Sequence, residues 1–204
     1  RVRVSLAGGR YLQAPSSEEL SSVTGNPDLG PEGAWHLNLG VKLAPADWID
    51  LDVQGYVKFL DDQAVSSVEA ASFASFTEFG DVSGDVEDDP THGLSNSGVG
   101  PIYGMESFIR FGLLRKVGIT GWFGYSLSWA ERKDFPDEDW RWFQNDRRHQ
   151  LTALVQLAFP GEVTLGARFQ LQSGAPKTPV EDSTFYADFG SYIPEYGGLY
   201  TARS

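Results

Sequence analysis

The sequence has no cysteine and only one methionine among its 204 residues. Disulfide bonds and thiolate chemistry are therefore excluded, whereas the cellular compartment is left open. No run of 18 apolar residues occurs, so a transmembrane helix is not predicted. Basic residues are also scarce, and the formal net charge is -12. Nucleic acid is not an expected partner, because neutralising its phosphates requires a basic surface.

What the sequence does contain is alternation of apolar and polar residues. The clearest case is residues 148–172, two alternating arms joined by a short turn at residues 159–162. Val163 and Leu165 lie on one side of the second arm and Thr164 lies on the other, a period that predicts β-strands. Each arm has about ten residues, enough for a tilted strand to cross the hydrocarbon core of a bilayer. Alternation alone also fits any antiparallel sheet with one wet face.

The same period recurs along the chain and predicts seven strands in all. Besides the two arms, the alternating segments are residues 2–12, 34–43, 49–59, 103–114 and 119–130. Their connections alternate between long (13–33, 61–100, 133–147 and 175–204) and short (44–47, 115–118 and 159–162). Outer-membrane barrels have long loops on one rim and short turns on the other. We therefore predict an all-β fold, an antiparallel up-and-down transmembrane β-barrel segment. Its strands occupy residues 1–174, the short turns are periplasmic, and the long loops, including 175–204, are extracellular.

Aromatic residues cluster near the ends of the predicted strands. Interfacial girdles of a membrane barrel would have this distribution. The alternative is that aromatic residues simply favour strands. The predicted girdle residues are Trp48, Phe111, Trp122 and Phe159 at the short-turn rim, and Tyr11, Trp35 and Trp129 at the long-loop rim.

Five short motifs are spread along the chain. Residues 25–32 contain an N-P-x-L-x-P-E element, residues 103–106 a G-x-E strand start, and residues 148–151 the start of a strand after a Trp- and Phe-containing loop. Residues 166–169 read G-x-R-F, and residues 173–179 read S-G-x-P-x-T-P. In their order and spacing, rather than singly, these motifs resemble the C-terminal half of the barrel of TonB-dependent outer-membrane receptors.

The resemblance implies a 22-stranded barrel in the bacterial outer membrane, filled by an N-terminal plug and energised through TonB. Seven strands cannot close such a barrel, and neither a plug nor a TonB-contacting box is recognisable in the sequence. We therefore expect an internal segment of a longer protein. Its expected partners are outer-membrane lipid, the missing plug and barrel strands, TonB acting through the missing part, and a nutrient.

Candidate site residues follow from the polar side of the strands, where a transported ligand would touch the barrel wall. Most such residues would only be solvated or paired with the plug. The candidates are His36, Asn38, Asp50, Asp52, Lys58, Glu106, Arg110, Arg168 and Gln170.

The loop at residues 61–100 has nine acidic residues and no Lys or Arg. Carboxylates of Asp81, Asp85, Asp88 and Asp89 could hold a hard cation such as calcium, although they lack EF-hand spacing and also fit a solvated loop. No cofactor is expected. The sequence has no G-x-S-x-G element, and its carboxylate pairs assign no acid and base, so we do not expect an enzyme.

Three functional hypotheses are consistent with these patterns. The first is a receptor segment importing a scarce, bulky nutrient: a siderophore, cobalamin, a glycan or a peptide. The second is a barrel without transport activity that serves as a structural or docking subunit of an envelope complex. The third is a soluble all-β binding domain.

Overall fold

The computed structural model describes residues 1–22, 25–66, 94–113, 118–186 and 190–203. Within these residues the secondary structure consists of strands. No helix there is long and apolar enough to cross a membrane. The strands are β1 (Val2–Gln13), β2 (Glu32–Ala46), β3 (Ile49–Ser66), β4 (Leu94–Leu113), β5 (Gly118–Arg132), β6 (Arg141–Trp142), β7 (His149–Phe159), β8 (Val163–Gln172), β9 (Pro176–Lys177), β10 (Val180–Tyr186), β11 (Ser191–Tyr196) and β12 (Ala202–Arg203).

One antiparallel sheet dominates the described structure. Its strand order is β1-β2-β3-β4-β5-β7-β8, with the short β6 paired to the end of β5. Each long strand therefore lies beside its neighbours in sequence, which is an up-and-down arrangement. β1 and β8 are edge strands of this sheet. The seven strands predicted from alternation are all present.

The pairing register separates the residues of the sheet into a polar face and an apolar face. On the polar face, His36 is opposite Lys58, and Asp50 is opposite Arg110. On the apolar face, Leu37 is opposite Val57. Because successive side chains of a strand point to opposite faces, one register determines the opposed pairs on the polar face and on the apolar face at once.

The apolar face has no protein layer packed over it in the described structure. Leu37 is 55% exposed and Leu165 is 59% exposed, although both lie within strands. Of the described hydrophobic residues, only Leu29, Val65 and Ala130 are buried. A continuous exposed apolar surface of this kind marks a contact with lipid or with another protein.

Two of the predicted girdle residues are on the polar face. Trp122 is opposite Arg110, and its ring stacks on Phe108, with centroids 5.6 Å apart. Tyr11 contacts His36, with ring centroids 4.6 Å apart. The girdle prediction is wrong for Trp122 and Tyr11, because aromatic residues also occur inside strands on the wet face. Trp35, Trp129, Phe111 and Phe159 share the apolar face.

The first short connection is shorter than predicted. The turn was expected at residues 44–47, but β2 continues to Ala46, which pairs with Ile49. Pro45 has no N–H to donate, and the register shifts in its vicinity. The shift accommodates the proline and leaves residues 47–48 as the turn.

The long connection predicted at residues 61–100 begins and ends as strand. Residues 61–66 extend β3, and residues 94–100 extend β4. Alternation is lost there because these extensions contact polar groups at the start of β2 and in the first long loop, and not one apolar surface. Glu32 Oε1, for example, accepts a hydrogen bond from the Ala64 N–H at 2.8 Å.

The N-P-x-L-x-P-E element braces these strand extensions. The Asn26 side-chain amide donates to the Leu94 carbonyl at 2.9 Å. Asn96 on β4 bonds to both the loop and β3. Its Oδ1 accepts from the Gly30 N–H at 2.8 Å, and its amide donates to the Asp62 carbonyl at 2.8 Å. The motif therefore fastens the first long loop to the projecting ends of β3 and β4.

The last two predicted loops also contain strands. In the loop at residues 133–147, β6 pairs with the end of β5. In residues 175–204, β10 and β11 form a hairpin and β9 pairs with β12. These elements are too short for alternation to reveal them, because they depend on contacts between distant parts of the chain.

Candidate functional site

All nine candidate wall residues lie on the polar face of the sheet. Asn38 is opposite Tyr56 on β3, and Glu106 is opposite Ser126 on β5. On β8, Arg168 is opposite Leu154, and Gln170, two residues further along the strand, is opposite Thr152. The alternation therefore assigned these side chains to a common surface correctly.

A groove of about 510 Å³ crosses the middle of this face. Of the candidate residues, Asp52, Glu106 and Arg168 line it. The groove therefore combines two carboxylates with a guanidinium group. The other lining residues are Gln54, Ser107, Phe108, Trp122, Gly124, Tyr125, Ser126, Gln150 and Thr152.

A second concavity of about 380 Å³ lies toward the short-turn end, and Asp50 and Arg110 line it. The Arg110 guanidinium donates to Asp50 Oδ2 at 2.7 Å. Both side chains are substantially exposed, so water screens the pair and it adds little to stability. Trp122 lines both concavities.

Sequence reasoning missed the aromatic part of the groove. Phe108 and Trp122 are diagonal neighbours across β4 and β5, an arrangement in which large side chains touch. Gly124 lies opposite Phe108, and a Cβ there would lie 3.6 Å from the Phe108 ring and 3.8 Å from the Trp122 ring. The even spacing of Phe108 from Glu106 and Arg110 already put it on the polar face.

The long-loop end of the sheet carries clusters of arginine, carboxylate and aromatic side chains. Arg132 and Arg141 both form ion pairs with Asp134. Asp146 has a fully buried side chain, and its Oδ2 accepts from Arg148 at 3.2 Å and also from Arg203.

Arginines at this end also stack on aromatic rings. The Arg203 guanidinium lies 4.3 Å from the Trp142 ring centroid, and Arg141 lies 5.2 Å from that of Tyr200. Such contacts add to ion pairing where water is partly excluded. Together the contacts join the loop between β5 and β7 to the segment that ends in β12.

The candidate cation ligands Asp81, Asp85, Asp88 and Asp89 lie outside the described residues. In the part of the chain that is described, no group of three or more His, Asp or Glu side chains could hold a metal ion.

The first long loop contains a short hydrogen-bonded turn outside the strands. Ser16 N–H donates to Glu19 Oε2 at 2.6 Å, and Glu19 N–H donates to Ser16 Oγ at 3.3 Å. The hydrogen bonds from the backbone and side chain of Ser16 lower the pKa of the Glu19 carboxyl.

A polar face, an apolar uncovered face and alternating long and short connections define a segment of a membrane β-barrel. The sequence matches the family described as TonB dependent receptor-like, beta-barrel, over residues 1–200. The chain belongs to this family, and it lies in the bacterial outer membrane. The family and the fold class predicted from the sequence are therefore confirmed.

The chain is similar in fold to the crystal structure of the outer membrane transporter YddB from Escherichia coli. The TM-score is 0.59 at 11% sequence identity, with 96% of this chain covered. The match covers 30% of that transporter, so the chain spans about a third of its length. None of the curated proteins matches the sequence.

Proposed function

We propose that this chain forms part of the wall of a receptor that imports a bulky nutrient across the outer membrane with energy from TonB. The continuous polar face carries this proposal, because a lumen wall must be wet on one side while lipid covers the other. Within the proposal, the long loops are extracellular and the short turns periplasmic.

The large groove is the part of the wall that we assign to ligand contact. Phe108 and Trp122 offer a stacked aromatic surface, and Asp52, Glu106 and Arg168 offer charged hydrogen-bonding groups beside it. A few polar groups around an apolar patch are typical of small-molecule sites. Siderophores, cobalamin, glycans and peptides all present both kinds of surface, so the class of nutrient stays open.

The direct test is energised uptake by cells expressing the complete receptor chain. Labelled ferric siderophore, cobalamin, oligosaccharide and peptide are each offered to expressing cells and to a deletion strain. We expect one of them to accumulate only in expressing cells, and accumulation to stop when TonB is deleted. Uptake of none of the four, or uptake that persists without TonB, would contradict the proposal.

The groove assignment is tested on the same receptor with the nutrient found in that way. Phe108→Ala should weaken binding about ten-fold, because an aromatic contact contributes ~0.5–1.5 kcal/mol beyond the area it buries. Gln172→Ala is the control: Gln172 is exposed on the same face, but it lines neither concavity and is not one of the candidate wall residues. Equal affinity of the two variants for the nutrient would show that the groove is not part of the binding site.

A further inference from the structure

We propose that the nutrient held in the large groove is a neutral oligosaccharide, a proposal that depends on the import function proposed for the chain. Stacked rings with polar groups beside them fit several classes of nutrient. Three features narrow the choice: the surroundings of the rings, the charge of the groove and its position over interior strands of the sheet.

The aromatic pair of the groove is open on the side of Gly124. Phe108 is 42% exposed, and Gly124 is directly opposite it on β5. A Cβ at Gly124 would lie 3.6 Å from the Phe108 ring and 3.8 Å from the Trp122 ring, so the absence of a side chain leaves space beside both rings. A sugar ring has a face of C–H groups, which pack on the electron-rich surface of an aromatic ring. The space beside the aromatic pair therefore suits one sugar unit.

Hydrogen-bonding side chains lie on both sides of the rings. Asp52 is opposite Phe108 on β3, and Thr152 is opposite Gly124 on β7. The next row of the polar face is polar on four neighbouring strands: Gln54, Glu106, Ser126 and Gln150. Sugar hydroxyls both donate and accept, so they can pair with carboxylates, amides and hydroxyls alike. The lining extends from β3 to β8, about 19 Å at the ordinary spacing of strands, which suits a linear chain of sugar units.

The charge of the groove favours a neutral ligand over an anionic one. Its lining includes two carboxylates, Asp52 and Glu106, and one guanidinium group, Arg168. The excess negative charge repels an anionic ligand, whereas a neutral ligand meets no such repulsion. Hydrogen bonds from hydroxyls to carboxylates are short and stronger than bonds between neutral groups, so the same carboxylates would hold a sugar chain.

The middle of the groove lies over interior strands of the sheet. β4, β5 and β7 each have a hydrogen-bonded neighbour on both sides. Extended peptides commonly bind a sheet by adding a strand to a free edge, and these three strands offer no such edge. The ligand must therefore be held by side chains, which favours a molecule with hydrogen-bonding groups along its outside, as a sugar chain has.

The experiment uses the complete receptor chain, purified in detergent and titrated by isothermal titration calorimetry. The probes are neutral oligosaccharides of glucose, mannose, xylose and N-acetylglucosamine, with ferrioxamine, cyanocobalamin and tetra-alanine for comparison. We expect one of the oligosaccharides to bind and the three comparison probes not to bind. Added salt should leave the affinity for the oligosaccharide unchanged, because a neutral ligand forms no ion pair for salt to screen.

Variants of the groove test where that oligosaccharide binds. Trp122→Ala should weaken its binding about ten-fold, the size of one aromatic contact, and Trp122→Phe should retain most of the affinity. Arg168→Gln should change it little, because an amide also donates to hydroxyls, whereas an anionic ligand would lose its counter-charge. Tyr11→Ala is the matched control, because Tyr11 is an exposed aromatic residue on the same face that lines neither concavity.

Binding of none of the oligosaccharides would overturn the proposal, and so would equal losses in Trp122→Ala and Tyr11→Ala. Uptake by cells separates this failure from failure of the import function. If ferrioxamine, cyanocobalamin or tetra-alanine is taken up only in the presence of TonB, the import function stands and the oligosaccharide assignment is wrong. If no probe is taken up, the import function itself is contradicted.

Discussion

Asp146 is the single carboxylate through which the last described segment is tied to the loop between β5 and β7 by charge. Its side chain is 0% exposed, and its Oδ2 accepts from Arg148 and Arg203. Asp146→Asn retains the shape and removes the charge, so two guanidinium groups lose their counter-ion. We expect the segment that includes Arg203 to detach from the loop.

The free energy lost in Asp146→Asn depends on how far the Asp146, Arg148 and Arg203 side chains are buried. A hydrogen bond between charged groups contributes ~1.5–3 kcal/mol. Only the bond to Arg203 joins the two segments, because Arg148 belongs to the same loop as Asp146. Arg203 is 24% exposed, so water screens this bond in part and it contributes about 1.5 kcal/mol. The contact of the Arg203 segment with the loop should then be about ten-fold less favoured. Arg203 still donates to the Asp146 carbonyl at 3.0 Å, which limits the loss.

Hydrogen exchange of the complete receptor, read by mass spectrometry, measures this change. Peptides covering residues 199–203 should lose protection, whereas β7 and β8 should keep theirs, because their ladder does not involve Asp146. Arg110→Gln is the control: it breaks the exposed pair with Asp50 and should leave those peptides unchanged. Unchanged protection of residues 199–203 in Asp146→Asn would refute the reasoning.

Two further predictions concern other parts of the structure. Gly104→Ala should destabilise the barrel by ~1–3 kcal/mol in a thermal unfolding assay, because its Cβ would clash with the backbone carbonyl oxygen of Leu127 and would also lie 2.7 Å from Tyr56 Oη. Gly166→Ala, whose Cβ meets nothing nearer than 3.7 Å, should be tolerated, and equal effects would contradict this account. The lowered pKa of Glu19 means that its ionised form stabilises the turn at Ser16 above the unfolded pKa, and this contribution is lost as pH falls through the folded pKa. Proteolysis of the first long loop should therefore increase in acid in the wild type, and Glu19→Gln should abolish that pH dependence.

The sequence by itself determined the two faces of the sheet. Period-two alternation is a local property, since successive side chains of any strand point in opposite directions. For that reason His36, Asp50 and Glu106 could be assigned to one surface before any pairing was known. The positions of the strands and the order of long and short connections follow from the same local pattern, interrupted by turn-forming residues.

Only the tertiary structure decided which polar-face residues are neighbours. The groove exists because the register of β4 and β5 brings Phe108 beside Trp122 and sets Gly124 opposite Phe108. Alternation contains no information about register between strands. The face of Trp122, by contrast, is a local property: its even spacing from Gly124 and Ser126 places it on the polar face, so its position near a strand end is a wrong guide to the girdle. The face of a single aromatic residue near a strand end is not settled by its residue type.

The extensions of β3 and β4 and the elements after Gly174 were also decided by tertiary contacts. Asn26 and Asn96 hold the extensions through side-chain hydrogen bonds to backbone groups 68 and 66 residues away in sequence. Asp146 and Arg203 are 57 residues apart. Contacts of this range leave no period in the sequence, because each depends on where the strands bring distant residues together.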